Sequence, residues 1–169
     1  GTFKKAIFGT ADRPLVGTTH AICAKQTFYH QDGHRIPYDG RRQARKLMAE
    51  VQCLIWARAL LKLAHEFVTR EVALRGTPPF EIPDMRFVEA TLAFEQGGDN
   101  AVYLVEEVID VSTEGVFKKY INNDSAKPLI LWDTADDHRA AYLSFTQHVQ
   151  YWKTCGRTLL SDPQIVTDP

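Results

Sequence analysis

No stretch of the 169 residues is apolar for more than a few positions, far short of the roughly 20 needed to cross a bilayer. Charge of one sign is lacking too. Twenty Lys+Arg stand against 21 Asp+Glu, a formal charge of -1, so no global basic field exists to hold nucleic acid without sequence preference. Cysteine is scarce: Cys23, Cys53 and Cys155 form an odd, widely spaced set with no Cys-x-x-Cys pair. This argues against a disulfide scaffold and for a cytoplasmic or nuclear compartment. A secretory leader is not visible, because Gly1-Thr2-Phe3-Lys4-Lys5 leads into a strand-like stretch without a long apolar core. What remains is ordinary globular composition, 44% hydrophobic and 24% charged, which excludes disordered, collagen-like and coiled-coil chains. Such a chain buries ~70% of its unfolded surface, as one domain over 1–169 or as two small lobes sharing a cleft.

Familiar nucleotide motifs are missing as well. The sequence has no Gly-x-Gly-x-x-Gly, no Gly-x-x-x-x-Gly-Lys and no Asp-Phe-Gly, and His138-Arg139-Ala140 is not a His-Arg-Asp loop.

Hydrophobic periodicity gives an α+β plan. Thr2–Phe8 and Ala21–Phe28 read as strands joined by a turn-rich loop. On the second, Ala21, Cys23, Lys25 and Thr27 share one face and Ile22, Ala24 and Phe28 the other. Residues 31–42 read as a loop. A long helix over about Gln43–Leu74 follows, with Leu47, Val51, Leu54, Leu61, Ala64, Val68 and Val72 at three- and four-residue steps, and Gly76 with Pro78-Pro79 stops it. Arg86–Glu95 alternates as a strand, Gly97-Gly98-Asp99-Asn100 is a hairpin loop, and Ala101–Ile109 returns. A second helix begins near Thr134 or Asp136 and runs to about Thr146, and short strands are expected around Lys153–Arg157. A hinge is expected near Ile109.

Four constellations carry possible chemistry. Lys25 lies on a covered strand, where an isolated ammonium is costly without a counter-charge or a phosphate. Glu50 falls between Leu47 and Leu54 and borders the buried helix face. A strand lysine held by a helix glutamate and aimed at phosphates is one reading; an edge lysine that reaches water beside a surface glutamate is the other. His30 with His34, and His20 with Cys23, have metal-ligand spacing for a helix, but neither segment reads as one. Arg41–Lys46 is a basic run at a helix start, either a phosphate contact or a solvated face. Asp162, Gln164 and Asp168 place carboxylate and amide oxygens where they either hold Mg²⁺ and orient a hydroxyl or form an Asp-Pro turn.

Taken in order, several segments resemble the alpha-type protein kinases, an atypical serine/threonine kinase family, and most closely its fungal members. They are Gly1-Thr2-Phe3-Lys4, Ile22-Cys23-Ala24-Lys25, Glu50-Val51-Gln52, Leu104-Val105-Glu106, Phe117-Lys118-Lys119-Tyr120-Ile121-Asn122-Asn123, Phe145–Tyr151 and Thr158–Ile165. The resemblance implies a two-lobed atypical kinase-like fold: an N-lobe sheet with a long helix over about 1–105, and a reduced C-lobe over about 106–169. It implies ATP and Mg²⁺ as cofactors and a protein as substrate, with no membrane or nucleic-acid partner. Lys4 and Lys25 would meet the phosphates, Glu50 would orient Lys25, and Glu106 would lie at the adenine. Asp162 would face the substrate hydroxyl, and Asp162 with Gln164 would supply metal oxygens. The family's Asp-Leu-Gln-Gly metal element and its C-terminal zinc module are not found, so a truncated kinase is expected. A pseudokinase that binds nucleotide or a partner is the alternative, and a helical scaffold docking an acidic partner through Arg41–Lys46 is a third reading.

Overall fold

The computed structural model describes residues 3–110, 116–122, 127–129, 134–161 and 164–167. In chain order the elements are β1 (Lys4–Thr10), β2 (Ala21–Gln31), β3 (His34–Pro37), α1 (Gly40–Arg75), β4 (Ala90–Phe94), β5 (Val102–Glu107), β6 (Val116–Lys119), α2 (Thr134–Lys153) and β7 (Gln164–Thr167). The class is α+β, an antiparallel sheet with two long helices. Contacts divide the chain into two units. The first comprises Gly1–Ile55 and Val88–Ile109, the second Trp56–Phe87 and Asp110–Pro169.

In the first unit the sheet runs β1-β2-β5-β4, with β3 pairing the far end of β2. All four pairings are antiparallel. The register sets Lys4 opposite Thr27 and Ala6 opposite Lys25, then Lys25 opposite Leu104 and Cys23 opposite Glu106. Because side chains alternate along a strand, Lys4, Cys23, Lys25, Thr27, Leu104 and Glu106 share one face. Helix α1 packs on that face: Leu47, fully buried, meets Val102 and Leu104, with Ala44, Val51, Ala90 and Leu92 around it. Leu47→Ala would remove about 2–5 kcal/mol at such a site.

The start of α1 is held in three ways. Asp39 caps it, its Oδ1 accepting from the Arg42 N–H at 2.9 Å. Gln43 is buried, and its Oε1 accepts from the Val102 N–H at 2.7 Å, giving the first residue of β5 a partner. Gly40 lies so close to the β4–β5 loop that a Cβ there would sit 2.1 Å from the Asn100 carbonyl oxygen.

The second unit has its own core, where Met85, Tyr120, Ile121, Ala140, Tyr142 and Leu143 pack with Leu61, Val68 and Ile82. Asp136, in the first turn of α2, is buried here among three donors. Lys118 Nζ donates to Oδ2 at 2.7 Å, and Tyr120 Oη and Arg139 Nη1 donate to Oδ1 at 2.9 and 3.1 Å. The Lys118 hydrogen bond, helped by those of Tyr120 and Arg139 and opposed by burial, holds the Asp136 carboxyl below its usual range. Burial first, and then Asp136, push the Tyr120 phenol up to about 12. Farther along α2, Gln147 Nε2 donates to the Leu160 carbonyl at 2.6 Å and Gln150 Oε1 accepts from the Leu160 N–H at 2.8 Å. Both glutamines are buried, so one residue of the outgoing chain is gripped at both backbone groups.

Several boundaries differ from expectation. His34–Pro37, read as loop, is a strand, because Asp32 and Gly33 take positive φ (50° and 79°) and close a two-residue hairpin. β4 starts at Ala90 rather than Arg86. α2 continues to Lys153 rather than Thr146. Lys153–Arg157 is not a strand: Cys155 and Gly156 adopt positive φ, and the Gly156 N–H returns to the Tyr151 carbonyl at 2.8 Å, which closes the helix.

Removing the Asp136 carboxylate strands two cations and a phenol. Asp136→Ala is expected to cost about 3–5 kcal/mol in denaturant unfolding at pH 7. The sign with pH follows from the lowered carboxyl: its stabilisation is present above the unfolded value near pH 4 and is lost as pH falls through the folded value. The wild type should therefore lose stability on acidification below about pH 4 more steeply than the variant.

Candidate functional site

The charged face of the first sheet gathers most of the residues singled out from sequence. Lys25, on β2, is half-buried, and its Nζ donates to Glu106 Oε2 on the adjacent strand β5. Lys4, at the start of β1, pairs with Glu50 of α1, Nζ to Oε2, at 2.5 Å. The expected Lys25–Glu50 pair is thus replaced by two others. The physical reason is register: Glu106 stands opposite Cys23, one diagonal step from Lys25 on the same face, while Glu50 reaches the strand on which Lys4 lies.

Exposure ranks the two pairs. The Lys25 and Glu106 side chains are 29% and 19% exposed, those of Lys4 and Glu50 28% and 39%. The Lys25 pair is the more enclosed, so water screens it less. Cys23 lies on the same face directly opposite Glu106. Burial, and to a smaller degree the Glu106 charge, push its thiol up, against an opposing effect of Lys25. Thr27 is buried, and its Oγ1 has no hydrogen-bond partner among the described residues. It stands opposite Lys4 and two residues from Lys25.

The end of β5 is tied to the β1–β2 loop. Glu107 Oε1 accepts from the Glu89 N–H at 2.7 Å. Gly17, at φ 59°, comes so near that a Cβ would stand 2.7 Å from Glu107 Oε2, and Val16 beside it is buried. Only a residue without a Cβ suits both that conformation and that approach.

Other sequence candidates lie elsewhere. Asp162 and Asp168 fall outside the described residues; Gln164 is in β7, and its side chain is not among those described. Among the described residues no group of three or more His, Cys, Asp or Glu side chains could hold a metal. His30 packs edge-on against Phe28, and the His20 Nδ1 meets the Ala11 carbonyl at 2.9 Å, so these histidines serve local structure. In the basic run, Arg42 pairs with its cap Asp39 and Lys46 sits over the Tyr38 ring at 4.7 Å. Sequence reasoning missed Gln43 and the Asp136 cluster. A glutamine in the first turn of an apolar-striped helix is the signal for one, and Phe-x-Lys-Tyr followed by an Asp in the first turn of a helix for the other.

Two ammonium groups, their two carboxylate partners and an unpartnered hydroxyl among the described residues thus share this face. A separate cavity of about 860 Å³ lies in the second unit, lined by apolar side chains including Val72, Phe80, Tyr142 and Phe145. It contains none of these charged residues.

The thiols give a check on burial. Cys23 is buried and Cys53 and Cys155 are exposed. In the native protein near pH 8 a thiol reagent should modify Cys53 and Cys155 readily and Cys23 only on unfolding, as counted by mass spectrometry. Prompt modification of all three would contradict the burial of this face.

No curated protein and no solved structure matches the chain. The model of the alpha-kinase family matches residues 1–169, the whole of it. The chain belongs to the alpha-kinase family.

Proposed function

We propose that this chain is an ATP-dependent serine/threonine protein kinase of the alpha type, with ATP phosphates held by Lys4 and Lys25 on the helix-covered face of the sheet. The observation that carries the reading is the placement of these two ammonium groups on one face, each fixed by its own carboxylate. Family membership supports ATP, a divalent cation and a protein substrate in general terms. The near-neutral charge of -1 favours a protein over a nucleic acid as partner, and three free cysteines favour a cytoplasmic or nuclear setting.

In phosphoryl transfer the protein's work is positioning and charge neutralisation. Lys25 and Lys4 would offset phosphate charge, and Thr27 would gain a partner for its hydroxyl. Glu106, by the resemblance, would border the adenine. Asp162 would accept the proton of the substrate hydroxyl as its oxygen bonds to the γ-phosphorus and ADP leaves. Asp162 and Gln164 are the residues to which the resemblance assigns the metal, whose charge would offset that of the phosphates when bound.

Lys25→Ala should weaken ATP binding by roughly tenfold or more, the loss of one charge-assisted contact, and should lower phosphorylation of a generic basic protein by a larger factor. Titration calorimetry and labelled-phosphate transfer measure the two. Binding of ATP without any transfer, indifferent to Mg²⁺, would assign the chain to the pseudokinase alternative. No ATP binding by the wild type would refute both.

A further inference from the structure

We propose that the second unit carries a docking surface for an acidic, amphipathic segment of a partner protein, whose apolar side chains enter the cavity lined by α1 and α2 and whose carboxylates meet Arg70, Arg75 and Lys153. Every lining residue belongs to the second unit, and none is among the residues assigned to ATP, so the surface is independent of the nucleotide reading.

Two helical stripes build the cavity. Val68, Val72 and Arg75 recur near the end of α1, and Ala141, Tyr142 and Phe145 within α2, at the three- and four-residue steps that share a helix face. Gly76, at φ 88°, ends α1, its N–H returning to the Val72 carbonyl at 2.9 Å. Pro78 and Pro79 then add wall without adding a backbone N–H. Tyr142 is buried and packs in the core of this unit together with Val68, so packing holds the floor in place. A volume of about 860 Å³ falls within the roughly 300–1,000 Å³ of ligand sites.

The apolar surface does not stop at the cavity. Phe67 lines it and packs on Phe145, ring centroids 6.3 Å apart, and edge-on against Trp152 at 5.9 Å. Phe80, Phe145 and Trp152 are 49%, 41% and 63% exposed. Apolar surface that continues from a recess onto open aromatic rings suits a chain segment laid along it better than a small molecule held within it.

Charge selects the kind of segment. Lys153 Nζ stands 4.2 Å from the centre of the Trp152 ring and 5.2 Å from that of Phe67, and the Arg70 guanidinium is 5.5 Å from Phe67. Arg75 lines the cavity itself. Glu71 is the single carboxylate among the described lining residues, and it meets Arg75 at 2.9 Å and Arg70 at 4.0 Å. Glu66, earlier on α1, is paired with Lys62 at 3.8 Å. One carboxylate between two guanidinium groups, with an ammonium on the neighbouring rings, leaves positive charge in surplus. An acidic segment complements it, and exposed aromatic and arginine side chains are the residues that anchor such contacts.

The test is selection of a phage-displayed random peptide library on the immobilised chain, followed by fluorescence anisotropy with the enriched peptides. These should carry Trp, Phe or Leu at three- and four-residue steps with Asp or Glu alongside. Ala141→Trp fills the cavity from an exposed position and should weaken their binding by roughly tenfold or more. Joint replacement by Arg70→Glu and Lys153→Glu should weaken it about as much at low salt and remove most of its salt dependence. Thermal unfolding of the variants separates a lost surface from a lost fold. If Ala141→Trp proves unstable, wild-type binding in rising salt, with or without the charge changes, gives the second reading. Failure to enrich any peptide, enrichment of peptides without acidic residues that bind regardless of salt, or binding untouched by Ala141→Trp would overturn the proposal. So would self-association of the wild type, seen by sedimentation and abolished by Ala141→Trp, which would give the surface to a second copy of this chain.

Discussion

An ammonium group on a sheet face covered by a helix is held there only if an anion offsets the loss of water around it. This chain meets that constraint twice, at Lys25 with Glu106 and at Lys4 with Glu50. Much of the first unit serves to keep these pairs in place. Asp39, Gln43 and Gly40 dock the start of α1 against the beginning of β5. Leu47 packs on Val102 and Leu104, and Leu104 is the residue opposite Lys25. Apolar packing thus fixes the strand that carries Glu106 and the helix that carries Glu50, and the charges are set by a core they do not belong to.

The second unit meets the same constraint with the sign reversed. Asp136 is a buried carboxylate supplied with three donors, and its neighbours are drawn from the strand β6, the residue after it and its own helix. Lys118, Tyr120 and Arg139 each donate a hydrogen bond to Asp136. It ties Lys118 and Tyr120, which belong to the segment resembling a family signature, to α2.

The strands and the long helix were legible in the sequence because each is a strong periodic signal. Ala21–Phe28 alternates, Leu47 to Val72 recurs at helical steps, and Gly76 with Pro78-Pro79 stops the helix cleanly. Asp32-Gly33 was a readable hairpin turn that the polar composition of its surroundings obscured. Lys153–Arg157, expected as strand, differs because Cys155 and Gly156 take positive φ and close the helix, a feature that hydrophobic periodicity does not signal. The charged face was half legible. Period two shows that Lys25 shares a face with Cys23 and Thr27, and helical spacing shows that Glu50 borders a buried stripe. Neither shows which carboxylate meets which lysine, because that depends on strand register and on strand order, and β5 lies beside β2 only after a chain excursion of about eighty residues. Gln43 was hidden for the same reason: its partner, the Val102 N–H, is distant in sequence.

A complex with a non-hydrolysable ATP analogue, solved by crystallography, bears most directly on the central claim. The account predicts phosphate oxygens within hydrogen-bond distance of the Lys25 and Lys4 ammonium groups. Phosphates bound elsewhere, with both ammonium–carboxylate pairs as they are without nucleotide, would contradict it.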